Sequence, residues 1–520
     1  MRKISTDGRY QIVSQGVKST HIIVQAGGQG SRLKHHTYNK PKALVSIDNE
    51  PIIFHLFNKF PKDHFQIIAD YKSDVLERYL ETYATNVDYN IVNGLGCKGT
   101  CSGVKYALEA LPKGEEFILI WSDLILPKDL SVPEDGHNHI GIAKGLDCRW
   151  GFVNGSFEEA CTCDSGIAGM FVFKDKEEIS DVPLSGEFVR WLKSKNLKFD
   201  VLDITGTREY GLIEKLNLPA EGKCRPFNAI KKEGDCLVKE GVDEVGKNLA
   251  TREVAWYKHV MKLGYSSIPK IHSFEPLKMQ YIQGKNIYSY KFDKEKKEMV
   301  LNDIIDNLRS LHELEKVSAH QESMKEAYFT KTISRMNTVK KLIPYTDQKT
   351  IRINGTECRN IFFVQDEVED AIDHLNCPEF CLIHGDCTFS NMMLENDTTP
   401  VLLDPRGYFG LTELHGDPAY DWAKLYYSLF GNYDQFNLRR FELKIDGEVL
   451  LDIQSNGWED MSDQFFDILS DEVDEESMKL MHAMIWLSLT TYARDDYDSI
   501  CGAFYNGLYH LEDYFRSRED

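Results

Sequence analysis

The pattern of apolar residues changes character once along the chain, near Pro219-Ala220-Glu221-Gly222-Lys223, and this break is the strongest constraint on the fold. Before it, short apolar runs alternate with amphipathic ones. His21-Ile22-Ile23-Val24-Gln25, Phe117-Ile118-Leu119-Ile120-Trp121 and residues 167–173 read as buried strands. Residues 73–83 read as a helix with Val75, Leu76, Tyr79, Leu80 and Tyr83 on one face. Such alternation predicts a mostly parallel sheet with helices on both faces. After the break come short strand-like runs, including Cys236-Leu237-Val238, and a helix-like segment over 249–261. From about residue 297 the sequence turns mainly helical: Val300, Ile304, Ile305, Leu308, Leu311 and Leu314 follow a 3.6-residue period, and 478–492 reads as a second long apolar helix. The expected organisation is an α/β domain over 1–222, with its core at 20–218, followed by an α+β domain over 223–520. The latter divides into a small sheet lobe, 223–296, and a larger helical lobe, 297–520.

A length of 520 residues accommodates this, as two domains of which one is bilobal. The 61 basic and 82 acidic residues leave a net charge of −21, which excludes a general binder of nucleic acid or anionic membrane but leaves room for local basic pockets that hold phosphates. Residues 1–15 are polar and no stretch approaches 18 apolar residues, so neither a signal peptide nor a membrane span is expected, and the expected location is the cytoplasm. The close cysteine pairs Cys97/Cys101, Cys161/Cys163 and Cys377/Cys381 lack zinc-knuckle spacing and are expected to be reduced, buried thiols.

Directly after the first strand stands Gly27-Gly28-Gln29-Gly30-Ser31-Arg32-Leu33, followed by Pro41-Lys42-Ala43-Leu44. Glycines here let backbone N–H groups approach a polyphosphate, and Arg32 and Lys42 can neutralise it. The spacing is neither a Walker loop nor a dinucleotide fingerprint. Together with Gly99-Thr100, Asp123, Ser185–Phe188 and Asp203 further along the chain, it resembles the signature of sugar-phosphate and phosphocholine nucleotidyltransferases. That resemblance, over roughly 20–218, implies a Rossmann-like fold with Gly27, Gly28, Gly30, Ser31, Gly99 and Thr100 on the nucleotide. It further implies Asp123, at the end of a buried strand, as the first metal-binding aspartate and Asp203 as the second. The spacing at Asp203 is one residue longer than the commonest form, which keeps Asp200 as a rival. Ser185-Gly186-Glu187-Phe188 looks like a segment of bacterial phosphocholine cytidylyltransferases, which makes Glu187 a substrate-binding candidate. In this chemistry a phosphate monoester attacks the α-phosphorus of a nucleoside triphosphate. Lys42 is the candidate to orient the attacking phosphate, and Arg32 to hold the leaving pyrophosphate.

The run His384-Gly385-Asp386-Cys387-Thr388-Phe389-Ser390-Asn391 is the strongest local motif. Asp386 and Asn391 have the offset of base and metal ligand in kinase catalytic loops, and a hairpin turning at Asn396-Asp397 then delivers Asp404 in Asp404-Pro405-Arg406-Gly407. His384 is expected to brace the loop. The pattern resembles the choline kinase and aminoglycoside phosphotransferase family over about 224–520. It implies Lys239 on a strand as the phosphate-binding lysine, Glu253 as its ion-pair partner, Asp386 as base, and Asn391 and Asp404 on Mg²⁺. The stretch before Lys239, from Pro226-Phe227 to Gly234-Asp235, is not glycine-rich as a kinase loop would be.

Two such halves suggest consecutive steps and resemble bacterial fusions of phosphocholine cytidylyltransferase with choline kinase that feed surface polysaccharide decoration. The implied co-substrates are ATP and CTP with Mg²⁺ at both sites; the implied partners are a small-molecule alcohol and its phosphate. A quaternary ammonium acceptor wants an aromatic cage and a carboxylate. Tyr408, Phe409, Tyr420, Trp422, Trp458, Trp486 and Tyr492, with Asp417, Asp421 and Arg406, are the residues on offer for such an acceptor site, but most of these aromatics are expected to be core, Trp486 in its apolar helix among them. Polyols and sugars, including an anomeric sugar kinase coupled to a sugar-1-phosphate nucleotidyltransferase, remain open as alternatives, as does a degenerate binding module in one half.

Overall fold

The computed structural model describes residues 3–4, 10–11, 19–94, 99–216 and 228–519. The chain divides into two compact units, Met1–Leu216 and Asn217–Asp520. The expected boundary at 222/223 lies outside the described residues, as do Cys97 and Pro226-Phe227.

In the first unit, β1 (His21–Gln25), β2 (His64–Ala69), β3 (Asp88–Asn93), β4 (Phe117–Trp121), β5 (His139–Ala143), β6 (Gly166–Phe173) and β7 (Asp200–Asp203) lie in the spatial order 3-2-1-4-6-5-7. Strands β1 to β4 are mutually parallel. Helices α1 (Ile52–Lys59), α2 (Ser73–Tyr83) and α3 (Thr100–Glu109) stand in the crossovers between them. The expected parallel character stops there, because β6 runs antiparallel to both β4 and β5. Alternation along the strands supplies both faces. Ile23, Ile68 and Leu119 pack with Val104 and Leu108 of α3. Phe65, one register position over, meets Phe57 of α1, whose Phe54 meets Tyr79 of α2. Strand order reverses between β1 and β4, so the crevice at their carboxyl ends is where an open α/β sheet binds ligands.

In the second unit, β8 (Asn228–Glu233), β9 (Cys236–Gly241), β10 (Ile271–Phe274) and β11 (Leu277–Gln280) form an antiparallel sheet in the order 8-9-11-10. Helix α4 (Glu244–Lys262) packs on β9. It begins five residues before the apolar period does, because Asp243 caps it by accepting the Gly246 N–H. The helical part holds α5 (Lys294–His312), α6 (Pro418–Leu429), α7 (Glu475–Leu489) and α8 (Tyr497–Ser517). Helices α7 and α8 pack along each other, and Trp486 is fully buried. This part is not helical throughout. Thr350–Ile353, Thr356–Arg359, Phe441–Asp446 and Glu448–Ile453 form a second four-stranded sheet whose alternating burial was masked by its charged outer face.

Among the described cysteines, all are free; Cys101, Cys358, Cys377, Cys381, Cys387 and Cys501 are buried as expected, but Cys161 and Cys163 are exposed. Among the described residues no helix is long and apolar enough to cross a membrane.

Candidate active sites

In the first unit, β1 leads through Ala26 into Gly27-Gly28 and β4 leads into Ser122-Asp123, which brings the glycine loop and Asp123 to the same carboxyl end of the sheet. Gly30 takes a left-handed φ of 67°, and a Cβ there would stand 3.1 Å from the Cβ of Lys42. Glycine thus lets the lysine stem pass under the loop. Lys42 Nζ is then ion-paired to Asp123 Oδ2, with both side chains largely buried. The other oxygen, Asp123 Oδ1, is buried with no hydrogen-bond partner. Gly99 at φ 89° passes so close to the Gly186 carbonyl that a Cβ would lie 2.4 Å from it. Cys101 N donates to that same carbonyl at 3.1 Å, and Thr100 Oγ1 accepts the Phe188 N–H at 2.8 Å. The Gly99-Thr100 and Ser185–Phe188 motifs therefore form one clasp, in which Glu187 leaves a buried, unpartnered Oε2.

The second aspartate is not brought to the first. Asp203 ends β7, three strands from β4, or roughly 14 Å across a sheet. It is exposed and accepts the Thr205 N–H at 2.9 Å. Asp200 pairs with His137 at 2.8 Å. The carboxylate that does approach is Glu209, missed in the sequence, 4.0 Å from Lys42 Nζ. It arrives because Arg208-Glu209 pair in antiparallel fashion with Leu124-Ile125, directly after Asp123. Lys215 holds its other oxygen at 2.6 Å. A Cβ added at Gly211 would lie 2.0 Å from Glu209 Oε1 and 3.3 Å from Arg32 Nη2, so the exposed Arg32 shares this space.

In the second unit, Lys239 on β9 bonds both to Asp404 and to Glu253 of α4, the latter at 2.8 Å. Burial opposes the charge on Lys239, but the two carboxylates outweigh it and raise its pKa, while burial pushes Glu253 upward against the pull of Lys239. The turn Asn396-Asp397, both residues left-handed, closes the hairpin of β12 (Met392–Glu395) and β13 (Thr399–Leu402) that leads to Asp404. Asp386 accepts Asn391 Nδ2 at 2.9 Å and lies 3.0 Å from Lys424 Nζ of α6, a partner the sequence motif does not contain. Burial would lower the Lys424 pKa, but Asp386 outweighs this and raises it. His384 braces the loop: its Nε2 bonds the Leu403 carbonyl at 2.9 Å and its Nδ1 accepts the Asp386 N–H at 3.3 Å. Burial lowers its pKa, which suits this neutral tautomer.

The expected acceptor-binding carboxylates are structural. Asp421, wholly buried, accepts the N–H groups of His384 and Gly385 at 2.8 and 2.7 Å and pairs with His312 at 3.1 Å. Asp417 caps α6 through the Ala419 N–H and accepts the Tyr328 hydroxyl at 2.8 Å. Trp422, Trp458 and Trp486 are core, each at most 1% exposed. Arg406, whose N–H donates to the His384 carbonyl at 2.8 Å, does sit beside the loop, bonded to the hydroxyls of Tyr420 and Tyr408.

Both sites offer oxygen donors that suit a hard cation. At the first, the orphaned Asp123 Oδ1 is such a donor. At the second, Asn391 turns its amide nitrogen to Asp386, leaving its carbonyl oxygen, and Asp404 is half-exposed. Among the described residues no three His, Cys, Asp or Glu side chains converge on one point, so a divalent ion would complete its shell with phosphate oxygens and water.

Residues 244–447 match the model of the phosphotransferase enzyme family. The chain is 28% identical over 108 residues to a mannose-1-phosphate guanylyltransferase catalytic subunit beta from Dictyostelium discoideum, covering 20% of this chain and 30% of the relative. It is 37% identical over 65 residues to a glucose-1-phosphate cytidylyltransferase from Salmonella typhimurium, covering 12% and 25%. The chain thus spans a third or less of these relatives. Among solved structures, the inositol-1-phosphate CTP transferase from T. maritima aligns with TM-score 0.34 and 17% identity, over 38% of this chain and 92% of that one. The CTP:phosphocholine cytidylyltransferase from Streptococcus pneumoniae aligns with TM-score 0.32 and 18% identity, over 38% and 96%. The second unit thus contains a stretch, residues 244–447, that matches the phosphotransferase enzyme family, and part of the chain is similar in sequence to sugar-1-phosphate nucleotidyltransferases.

Proposed function

We propose that the chain is a bifunctional enzyme. Its second unit moves the γ-phosphoryl group of ATP to a small-molecule hydroxyl. Its first unit moves a cytidylyl group from CTP to the resulting phosphomonoester and releases pyrophosphate. The observation that carries this reading is the pairing of Lys239 with Glu253 and Asp404 next to the loop in which Asn391 holds Asp386, the two sets being tied by the Leu403 N–H donated to the Asn391 carbonyl at 2.8 Å.

In the first step the acceptor oxygen bonds to the γ-phosphorus and the bond to the β-phosphate oxygen breaks, leaving ADP. Asp386 orients the hydroxyl and accepts its proton. Lys239 neutralises nucleotide phosphates. Asn391 and Asp404 would hold Mg²⁺, which supplies charge neutralisation of the triphosphate when bound. In the second step a phosphomonoester oxygen bonds to the α-phosphorus of CTP and pyrophosphate leaves. Asp123 and Glu209 are the carboxylates for a divalent ion there, with Lys42 on the attacking phosphate and Arg32 on the pyrophosphate. The glucose-1-phosphate cytidylyltransferase relative supports CTP as donor. The product is a CDP-activated building block of the kind consumed in decorating surface polysaccharide.

The choline form of this reading loses support, since Asp417, Asp421 and Trp422 serve the fold. The test is pyrophosphate release by the whole chain with each of the four nucleoside triphosphates and a panel of phosphomonoesters. Turnover with CTP is expected. Turnover only with UTP, GTP or dTTP and a sugar 1-phosphate would reject the cytidylyl assignment in favour of an anomeric sugar pathway.

A further inference from the structure

The surroundings of Asp386 are basic. Arg406 reaches Tyr420 and Tyr408, Lys331 Nζ lies 3.1 Å from the Tyr408 hydroxyl, and Arg335 Nη2 donates to the Tyr492 hydroxyl at 2.9 Å. Among the described residues no carboxylate pairs with Arg406, Lys331 or Arg335; their side-chain partners are phenols. Lys424 adds a fourth cation against the single charge of Asp386. Tyr492 is 44% exposed, so the cluster opens to solvent.

The aromatic faces that would cage a quaternary ammonium already carry cations of the protein. Tyr408 has Arg406 and Arg252 each 4.5 Å from its ring centre and Lys331 at 4.8 Å. Tyr492 has Arg335 at 4.5 Å, and Tyr420 has Lys424 at 5.8 Å. A cationic acceptor entering here would meet like charge without a free carboxylate to offset it. A site short of negative charge attracts it. The surroundings of Tyr408 agree: burial would raise its phenol, but the nearby charges of Arg406 and Lys331 outweigh burial and lower it.

We propose that the acceptor phosphorylated at Asp386 is itself an anion, a hydroxy acid or a hydroxyl compound bearing phosphate, whose charged group is held by Arg406, Lys331 and Arg335 while its hydroxyl faces Asp386. This rests on the kinase reading and names its substrate class. Arg406 presents the planar fork that recognises carboxylate or phosphate in bidentate fashion. The phenols of Tyr408 and Tyr420 hold that fork in place.

The test is calorimetric titration of the full chain, saturated with a non-hydrolysable ATP analogue and Mg²⁺, with four compounds of similar size: glycerate, glycerol 3-phosphate, glycerol and choline. At least one acid is expected to bind 10-fold or more tighter than glycerol and choline. Preference for glycerate identifies a carboxylate acceptor, and preference for glycerol 3-phosphate a phosphate-bearing one. Arg335→Gln, at the open rim, is expected to weaken that acid at least fivefold; Arg406→Lys, which keeps charge but loses the fork, should weaken it too. The proposal is overturned if choline or glycerol binds as tightly as both acids, if neither acid binds, or if Arg335→Gln leaves acid affinity unchanged. Acids that bind only when the analogue is omitted would also overturn it, because the cluster would then belong to the nucleotide. Failure of the analogue itself to bind would instead sink the kinase reading.

Discussion

Lys424 Nζ lies 3.0 Å from Asp386 Oδ1, and Asn391 takes the other oxygen of the same carboxylate at 2.9 Å. The proposed base is thus clamped from an adjacent helix as well as from its own loop. An aspartate held at both oxygens has one orientation in which to meet a hydroxyl.

Asp386→Asn keeps the shape of this clamp and removes the base. ATP-dependent phosphorylation is expected to fall on the order of 10²–10⁴-fold. Pyrophosphate release from CTP and a supplied phosphomonoester should persist. Lys424→Met should lower kcat for the kinase step about 10-fold or more, with a smaller change in the KM for ATP, because the lysine orients Asp386 rather than binding the nucleotide. Steady-state ADP release with separate pyrophosphate detection checks both. An unchanged kinase rate in Asp386→Asn would rule out the assigned site.

At the first unit the informative comparison is between two carboxylates. Glu209 lies 4.0 Å from Lys42, whereas Asp203 sits three strands from β4 with the Thr205 N–H. Asp123→Asn and Glu209→Gln should each cut pyrophosphate release at least about 100-fold at fixed Mg²⁺, while Asp203→Asn stays within about threefold, since only the first pair lies where charge develops. Raising Mg²⁺ should partly rescue Glu209→Gln. If Asp203→Asn is as damaging as Glu209→Gln, the closed, substrate-bound site uses the carboxylate expected from sequence.

That contrast marks what a linear sequence discloses. Asp386, Asn391 and Asp404 are legible because one loop and one hairpin bring them together, with spacing that survives as geometry. Lys239 and Glu253 are legible through a strand followed by a helix. Glu209 and Lys424 are not, because each reaches its site through pairing or packing with an element far away in the chain. Asp203 is legible as a strand-end aspartate, but which strand flanks that strand depends on register, and its pairing with β5 takes it away from Asp123. Asp417 and Asp421 stand close to the catalytic loop in space, as their sequence position suggests. Burial decides that they serve backbone N–H groups rather than a ligand.

Asp421→Ala therefore tests structure rather than specificity. It would strand two buried N–H groups, of His384 and Gly385, and remove the partner of His312. The expected loss of stability is about 3 kcal/mol, with Asp421→Asn milder because it can still accept one of these bonds. Urea unfolding followed by circular dichroism measures it. A variant with unchanged midpoint and altered acceptor KM would return Asp421 to the substrate site.

The helical part also carries a pH dependence that the chemistry does not need. His482 of α7, buried, and His510 of α8, half-buried, bring their ring centres within 4.3 Å at a tilt of 49°, with Trp486 Nε1 donating to His482 Nε2 at 3.0 Å. Burial lowers both, His510 to about 4 and His482 well below its ordinary value, and the proximity of His510 lowers His482 further. Each is therefore neutral in the folded state at pH values where the unfolded chain is protonated. Above the unfolded value, near 6.5, neither state binds the proton and the pair contributes nothing to the pH dependence. Below it the unfolded chain binds more protons than the folded one, so stability falls as pH drops from about 6.5 toward 4. For His510 the loss is about 3 kcal/mol at the acid end, from a shift from 6.5 to about 4. Denaturant melts of the full chain at pH 7 and pH 5 should show the loss. His510→Gln, which cannot titrate, should flatten part of it, whereas an equal acid loss in wild type and variant would show that the destabilisation comes from carboxylates elsewhere.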